Sequence, residues 1–395
     1  MSGLGQRPGR GTIVRVGVAI AALFAALALA ACGDELEGDD GGEDLEVAEA
    51  GPAEGEFTMS TGPLYIDQGK GGVDGPGGTL AEFEEETGVS VDYLEDINSN
   101  ESFFAKLRPD LANGDSGGRD IIIATDWMAK RYADLGYVQE LDKEALPTVE
   151  ENLLPSLRDP EFDPDRAFTV PWASGMTGLI VNTDEAPEIT SVNDLFDPKY
   201  KGKVTVLAEL RDTVPLFMKA DGIDPAEATK EEWLDTVQKV QDAVDSGQFR
   251  DVTGNDYIID LPRGDSVAAI GWSGDAVQLA LDDPAIEFRM PDEGCILWSD
   301  DMIIPVGAEN PGAAYAFMDH LYDPEIAAQV SGYVNYMTPV EGVKEVFEEQ
   351  GETDLADNEL IFPTEEFVEN CSDQPILEGE DEKEIEAAWE ELVSG

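Results

Sequence analysis

Three short apolar segments, each followed directly by polar or aromatic residues, constrain the fold of this chain most strongly. They lie at residues 120–124, 204–207 and 267–271. Short apolar runs of this kind are typical of strands buried in a mostly parallel sheet. Other segments carry apolar side chains at helical spacing, and these lie at residues 231–245, 311–321 and 383–393. Strands that alternate with amphipathic helices predict an α/β fold with mostly parallel sheets.

Acidic and aromatic side chains occur together after these apolar segments and in one further stretch. Asp126 precedes Trp127, Asp275 follows Trp272, and Asp300 and Asp301 follow Trp298, while after the second segment two acids, Glu209 and Asp212, flank Arg211. Ligands of open α/β sheets bind beyond the carboxyl ends of the strands, so these positions are candidates for a site. Aromatic faces attract ammonium groups, and carboxylates form charge-assisted hydrogen bonds with them. The pattern predicts a site for an organic polycation, although any single tryptophan is also compatible with packing at the edge of a sheet.

The composition excludes several classes of function. The chain has 395 residues, with 86 Asp and Glu against 24 Lys and Arg, and a formal net charge of −62. Since no basic patch is present, neither a nucleic acid nor an anionic membrane surface is an expected partner of the folded domain. Hydrophobic residues make up 42% of the chain, which is enough for a large core. We expect one two-lobed body or two domains.

The N-terminal segment has the features of an export signal. Basic residues without any acid precede an apolar run at residues 16–31, which is too short for an ordinary membrane span. The run ends in Leu-Ala-Ala-Cys, which resembles the bacterial lipobox. We predict a lipoprotein signal peptide at residues 1–31, lipidation of Cys32, and an acidic, solvated tether over residues 32–56. The expected location is the outer face of the cytoplasmic membrane, at the cell surface or in the periplasm.

Two further cysteines, Cys295 and Cys371, remain after Cys32 is assigned to the lipid. In an exported protein two such thiols are expected to form a disulfide, and the alternative is a pair of buried free thiols. Two cysteines and one histidine lack the spacing of a zinc site. We therefore expect no metal and no cofactor.

The sequence offers little support for catalysis. Paired carboxylates beside tryptophans are compatible with a glycosidase, but no acid/base motif is recognisable. His320, the only histidine, falls within the helical segment 311–321, where a surface or packing role is the simpler interpretation, so a catalytic triad has no base. A purely structural surface protein is disfavoured by the absence of repeats. We predict a binding protein without catalytic residues, and a sugar or an amino acid stays open as an alternative ligand.

Several longer motifs follow one another after the tether. They are Phe83-Glu84-Glu85-Glu86-Thr87-Gly88-Val89, Asn100-Glu101-Ser102-Phe103-Phe104-Ala105-Lys106-Leu107, Thr169-Val170-Pro171-Trp172, Asp194-Leu195-Phe196-Asp197-Pro198-Lys199-Tyr200-Lys201-Gly202, Gly271-Trp272-Ser273-Gly274 and Asn335-Tyr336-Met337-Thr338-Pro339. In this order they resemble the extracellular solute-binding proteins of ABC importers, and within them the spermidine/putrescine-binding branch. The resemblance implies two α/β lobes joined by a crossover hinge, with a polyamine bound in the cleft between them. It also implies a monomer that delivers its ligand to permease subunits in the membrane.

The same resemblance implies roles for particular side chains. The acids that would meet amino groups are Glu209, Asp212 and Asp300. The rings and the hydroxyl that would surround the rest of the ligand are Tyr65, Thr125, Trp127, Trp272, Trp298 and Tyr336. This chain has Gly62 where the branch usually places a tryptophan near the first strand, so one aromatic wall is missing and the ligand could differ.

Lobe boundaries follow from the same comparison. Lobe 1 is expected to comprise residues 57–173 and 298–344, and lobe 2 residues 174–297 and 345–395. The chain would therefore cross between the lobes near residues 174, 297 and 345.

Overall fold

The computed structural model describes residues 47–377 and 379–394, so the expected signal peptide, Cys32 and most of the tether lie outside the described residues. The strands are β1 (Val47–Ala48), β2 (Glu56–Ser60), β3 (Ser90–Leu94), β4 (Ile121–Thr125), β5 (Glu140–Leu141), β6 (Val170–Asn182), β7 (Val204–Leu207), β8 (Asp251–Thr253), β9 (Ala268–Trp272), β10 (Ile286–Arg289), β11 (Ile296–Ile303) and β12 (Ser372–Asp373). The three strands predicted from apolar runs are β4, β7 and β9, and they are confirmed.

Helices separate most of the strands. They are α1 (Thr79–Thr87), α2 (Asn100–Leu111), α3 (Asp126–Asp134), α4 (Pro147–Asn152), α5 (Leu210–Ala220), α6 (Lys230–Asp245), α7 (Tyr257–Arg263), α8 (Ser273–Asp282), α9 (Pro311–His320), α10 (Pro324–Val334), α11 (Val343–Gln350), α12 (Thr353–Ala356), α13 (Glu365–Val368) and α14 (Gly379–Ser394). The predicted helices are α6, α9 and α14. Helix α6 begins at Lys230 because Thr229 and Glu232 form a reciprocal capping box at its N-terminus.

A mixed sheet runs through the described molecule in the order β3-β2-β4-β11-β6-β9-β7-β8. The pairs at its two ends, β3-β2-β4 and β9-β7-β8, are parallel. The antiparallel pairs all involve β6 or β11, which are the long strands in the middle. Two parallel α/β units are therefore joined through a pair of crossing strands.

Each crossing strand contributes one of its ends to a first hydrophobic core and its other end to a second one. In β6, Trp172 and Ala173 belong to the first core, whereas Leu179 belongs to the second. In β11 the order is reversed, since Ile296 packs in the second core and Trp298 in the first. The predicted two-lobed α/β fold with crossover strands is confirmed.

Two segments differ from the sequence-based boundaries. Val47 and Ala48, expected within the tether, pair as β1 with β5, and the Tyr315 hydroxyl donates a hydrogen bond of 2.9 Å to the Ala48 carbonyl. The folded body therefore begins before residue 57, because a small apolar side chain at position 48 fills a buried site. Phe347 and Ile361, placed by the sequence in lobe 2, pack in the first hydrophobic core.

A disulfide joins Cys295 to Cys371 at the start of β11. Beside it, β12 pairs in parallel with β11, and the backbone N–H of Gln374 donates to the Leu297 carbonyl at 3.0 Å. The C-terminal segment is thereby fixed to one of the crossing strands. Within the described residues, every helix is too short or too polar to cross a membrane.

Candidate functional site

A cavity lies between the two lobes, with about 630 Å³ of space not filled by protein atoms, including its open mouth. Its walls are formed by Gly62, Pro63, Tyr65, Ile97, Asn98, Ser99, Asn100, Ile123, Thr125, Glu209, Asp212, Asn255, Trp272, Asp275, Trp298, Asp300, Tyr336 and Gln374. Both lobes contribute, and hydrogen bonds join them directly across the cavity. For example, the Asn100 backbone N–H donates to Glu209 Oε1 at 2.8 Å, so the structure is a closed form.

Four carboxylates line this cavity, and we call Glu209, Asp212, Asp275 and Asp300 the cavity acids. The described cavity wall contains no lysine and no arginine. Asp212 and Asp275 lie in the first turns of α5 and α8, directly after strands β7 and β9. The N-terminal end of a helix favours a negative charge, which offsets part of the cost of burying these two carboxylates. The cavity therefore has a strongly negative wall.

Asp300, on β11, accepts a hydrogen bond of 2.7 Å from the Tyr65 hydroxyl. Burial raises the pKa of Asp300 to about 6, while the hydrogen bonds from Tyr65 and Thr125 oppose the rise and Asp301 adds to it. A carboxylate that is paired with a hydroxyl and not with a cation retains most of its negative charge for a ligand.

Asp275 is held between two tyrosines. The Tyr257 hydroxyl donates to its Oδ2 at 2.6 Å, and the Tyr336 hydroxyl donates to its Oδ1 at 2.8 Å. Burial raises the pKa of Asp275 to about 6, against the effect of both hydrogen bonds. Tyr257 and Asp275 belong to the second lobe and Tyr336 to the first, so this carboxylate also links the lobes.

Glu209 and Asp212 form the other acidic end of the cavity. Thr177 and Gln374 donate to the two carboxylate oxygens of Asp212, the latter at 3.0 Å. Burial raises the pKa of Asp212 to about 7 despite these hydrogen bonds. Burial also raises the pKa of Glu209 well above its usual value, and the neighbouring Glu101 and Asp212 raise it further. Carboxylates crowded in this way are stabilised by the arrival of a cation.

Aromatic rings form another part of the wall. Trp298 meets Tyr336 edge to face with a centroid distance of 5.0 Å, and Tyr65 meets Tyr336 in the same manner at 5.5 Å. Gly175 on β6 makes room for the indole, since a Cβ there would lie 2.3 Å from Trp298 Cζ2. Absence of a side chain at this position is therefore required for the ring to lie against the strand.

Comparison with known proteins identifies the family of this two-lobed fold. A family model described as bacterial extracellular solute-binding protein matches residues 79–361. The chain belongs to this family. It is 27% identical over 302 residues to the spermidine/putrescine-binding periplasmic protein of Escherichia coli, covering 75% of this chain and 82% of that protein. It is 26% identical over 357 residues to the spermidine/putrescine-binding periplasmic protein 1 of Haemophilus influenzae, covering 89% and 91%.

A solved structure agrees with the fold. The spermidine/putrescine ABC transporter substrate-binding protein of Streptococcus pneumoniae superposes with a TM-score of 0.66 at 23% identity, covering 86% of this chain and 98% of that one. The relatives named here are a periplasmic binding protein and the substrate-binding protein of an ABC transporter. The family match makes the chain an extracellular-type solute-binding protein.

In this solute-binding protein, the structure brings eight of the nine sequence-predicted ligand residues to one cavity and leaves the ninth, Trp127, outside it. Thr125 ends β4 and still faces the cavity, but the chain turns into α3 at Asp126, so the indole lies elsewhere. Its ring makes a cation–π contact with the guanidinium of Arg211, whose Cζ is 3.9 Å from the ring centroid. Gly62 and Pro63 line the cavity at the place where the family resemblance suggested a missing aromatic wall.

Further lining residues were absent from the sequence-based site. Asp275 was recognised in the sequence as an acid close to Trp272, but the family resemblance assigned it no ligand role. Asn100 could be found only through the fold, since its side chain reaches the cavity from the N-terminus of α2 and donates to Thr125 Oγ1 at 2.9 Å. Gln374 comes from the C-terminal segment, which the disulfide and β12 hold against β11.

Proposed function

We propose that this protein captures a polyamine of the putrescine or spermidine class in the cavity between its lobes and delivers it to the permease of an ABC importer. The observation that carries the proposal is the cavity wall itself, which contains four carboxylates and, among its described residues, no basic side chain. An anionic or neutral ligand would leave these buried charges without compensation, whereas ammonium groups provide it. The printed names of the matched relatives support the same ligand class.

The acids are distributed in a way that suits a ligand with separated amino groups. Asp300 and Asp275 extend from β11 and α8, whereas Glu209 and Asp212 share the start of α5. In the proposed complex, one amino group binds between Asp275 and Asp300 and another binds at Glu209 and Asp212. The methylene groups lie against the rings of Trp272, Trp298 and Tyr336, where aromatic faces also attract the adjacent ammonium groups.

Closure of the lobes would accompany binding. Contacts to both lobes exist only in the closed state, so a ligand that makes them shifts the population toward closure. The raised pKa values of the cavity acids mean that the empty site is easily protonated near pH 6. A bound ammonium group would favour the ionised carboxylates and displace those protons.

We further propose that Cys32 carries the lipid anchor and that the mature protein acts as a monomer on the outer face of the membrane. The tether between Cys32 and β1 is acidic and free of aromatic residues, so it would separate the folded body from the bilayer. Replacing Cys32 by Ser is expected to release the protein into the medium or periplasm without loss of ligand binding. Retention of the C32S variant in the membrane fraction would contradict the anchor.

Isothermal titration of the mature protein tests the ligand class. Putrescine, spermidine and spermine are titrated beside 1,4-butanediol, which has the chain of putrescine without its charges, and beside maltose and an amino-acid mixture. The proposal predicts saturable binding of at least one polyamine and none of 1,4-butanediol. Binding of a sugar or an amino acid with silence for every amine would retain the fold and overturn the ligand.

A further inference from the structure

Four charged side chains and one tryptophan join the lobes outside the cavity. We call this cluster the latch, and its members are Trp127, Arg131, Arg211, Glu382 and Glu386. Arg131 Nη2 lies 2.8 Å from Glu382 Oε1 and 2.6 Å from Glu386 Oε1. Arg211 contacts the same two carboxylate oxygens, with Nη2 2.7 Å from Glu382 and Nη1 3.0 Å from Glu386. Two guanidinium groups therefore share two carboxylates.

Trp127 lies beside both guanidinium groups. The Cζ atoms of Arg211 and Arg131 are 3.9 and 5.2 Å from its ring centroid. Contacts of an arginine with the face of a tryptophan are among the stronger cation–π interactions, and they strengthen further when water is excluded. This position explains why Trp127 is absent from the cavity wall.

The latch residues come from opposite lobes. Trp127 and Arg131 lie on α3, which packs through Met128 and Tyr132 with α2 and β4 of the first lobe. Arg211 lies in the first turn of α5 and the two glutamates lie on α14, and both helices pack in the core of the second lobe. When the lobes separate, the Arg211 contacts with Glu382 and Glu386 stay within one lobe. Within the latch, only the contacts that Arg131 and Trp127 make with the second lobe are formed and broken by closure.

We propose that the latch holds part of the ligand-free protein in the closed state and thereby sets its affinity for the ligand. Arg211 pairs with both glutamates from within the second lobe, so these contacts do not require closure and Arg131 enters a site that is already arranged. Arg131, Glu382 and Glu386 are 18–23% exposed, which makes their pairing stronger than that of a fully solvated pair. Every ligand that binds the closed form benefits from a larger closed population.

The position of Arg211 links the latch to the cavity. It lies between Glu209 and Asp212 in the first turn of α5, while its own side chain points to α14. The second-lobe part of the latch therefore fixes the helix turn that presents two of the cavity acids. Arg131 and Trp127 act on ligand affinity only through closure, since neither lines the cavity.

Arg131→Gln tests the latch, with Lys130→Gln as the matched control. Lys130 is the preceding residue of the same helix and forms a surface pair with Asp134 at 2.6 Å, so both variants lose one positive charge from α3. Small-angle scattering of the ligand-free proteins measures closure without any assumption about the ligand. Titration with putrescine or spermidine measures affinity, and this second measurement alone depends on the proposed function.

We expect the ligand-free R131Q variant to have a larger radius of gyration than the wild type, and K130Q to match the wild type. We expect polyamine affinity to fall about tenfold in R131Q, as hydrogen bonds between charged groups of this exposure allow, and to stay unchanged in K130Q. Arg131→Lys, which keeps the charge without the planar fork, is expected to lie between them. Equal ligand-free scattering of R131Q, R131K and wild type overturns the latch. A wild-type protein that binds no polyamine overturns the proposed function and leaves the scattering comparison valid.

Discussion

Replacing Asp300 by Asn is expected to weaken polyamine binding while it stabilises the ligand-free protein. Asparagine keeps the shape of the side chain, and its Oδ1 can still accept the hydrogen bond from the Tyr65 hydroxyl, which is 2.7 Å away in the wild type. What is lost is the negative charge that faces the cavity. The two effects have different origins and can be calculated separately.

The effect on binding follows from the loss of one charged partner. Removing one member of a buried, hydrogen-bonded charge pair costs about 2–5 kcal/mol. Three other cavity acids remain in D300N and still attract the ligand, so the lower part of this range applies. We expect a loss of about 2–3 kcal/mol, which corresponds to about 30- to 150-fold in Kd.

The effect on stability has the opposite sign. Burial raises the pKa of Asp300 from 3.8 to about 6, so its ionised form disfavours folding at neutral pH. The shift is equivalent to at most about 3 kcal/mol, and we reduce this to about 1 kcal/mol because part of the side chain faces water in the cavity. The ligand-free variant should therefore melt about 1–2 °C above the wild type, because the unfolding entropy of a folded body of this size is large.

Calorimetry at pH 7.5 measures both quantities, by titration with putrescine or spermidine and by thermal scanning of the ligand-free protein. Asp242→Asn, which removes an exposed charge from α6, is the matched control and should change neither value appreciably. Unchanged polyamine affinity in D300N would refute the role of this carboxylate. A lower melting temperature would refute the view that its charge is uncompensated in the empty site.

Three other properties follow from the same structure. The pKa of Asp212 is raised from 3.8 to about 7, so the folded state binds more protons than the unfolded state between these values. Its contribution to the free energy of unfolding should decrease as the pH rises from about 4 to 7, and Asp212→Asn should flatten the pH profile measured by denaturant titration. Gly175→Ala places a Cβ against Trp298 and should lower ligand affinity by about 1–3 kcal/mol in calorimetry, whereas an unchanged affinity would show that the ring can move freely. The double substitution of Cys295 and Cys371 by Ser opens a loop with a sequence separation of 76 and should lower the free energy of unfolding by about 4 kcal/mol, and an unchanged denaturation midpoint would contradict this.

The sequence predicted the parts of the fold that depend on local patterns. Strand β4 is buried on both faces, with Ile121 and Ile123 in one cluster and Ile122 in another, so its apolar run was easy to identify. The acids and rings after such strands were visible for the same reason. They meet in one cavity because the carboxyl ends of the parallel strands face the cleft.

Other features depended on contacts between distant segments. The direction of Trp127 is decided by Arg211 of the other lobe, and no local pattern shows that the indole would meet a guanidinium there. Gln374 reaches the cavity only because a disulfide and a short strand hold its segment. Val47 and Ala48 pair with β5, which lies more than ninety positions further along the chain. The sequence shows only the acidic residues around them, and these suggested a tether.

The most direct test of the central claim is titration of the mature protein with putrescine and spermidine at pH 6 in two buffers of different ionisation enthalpy. If ammonium groups bind to the cavity acids, binding should ionise carboxylates whose pKa values are about 6 and 7 in the empty site. We expect saturable polyamine binding at pH 6 that releases protons, so the measured binding enthalpy should depend on the buffer. At pH 8 fewer protons should be released, because the carboxylates are already ionised. Binding without proton release at either pH, or no polyamine binding at all, would contradict it.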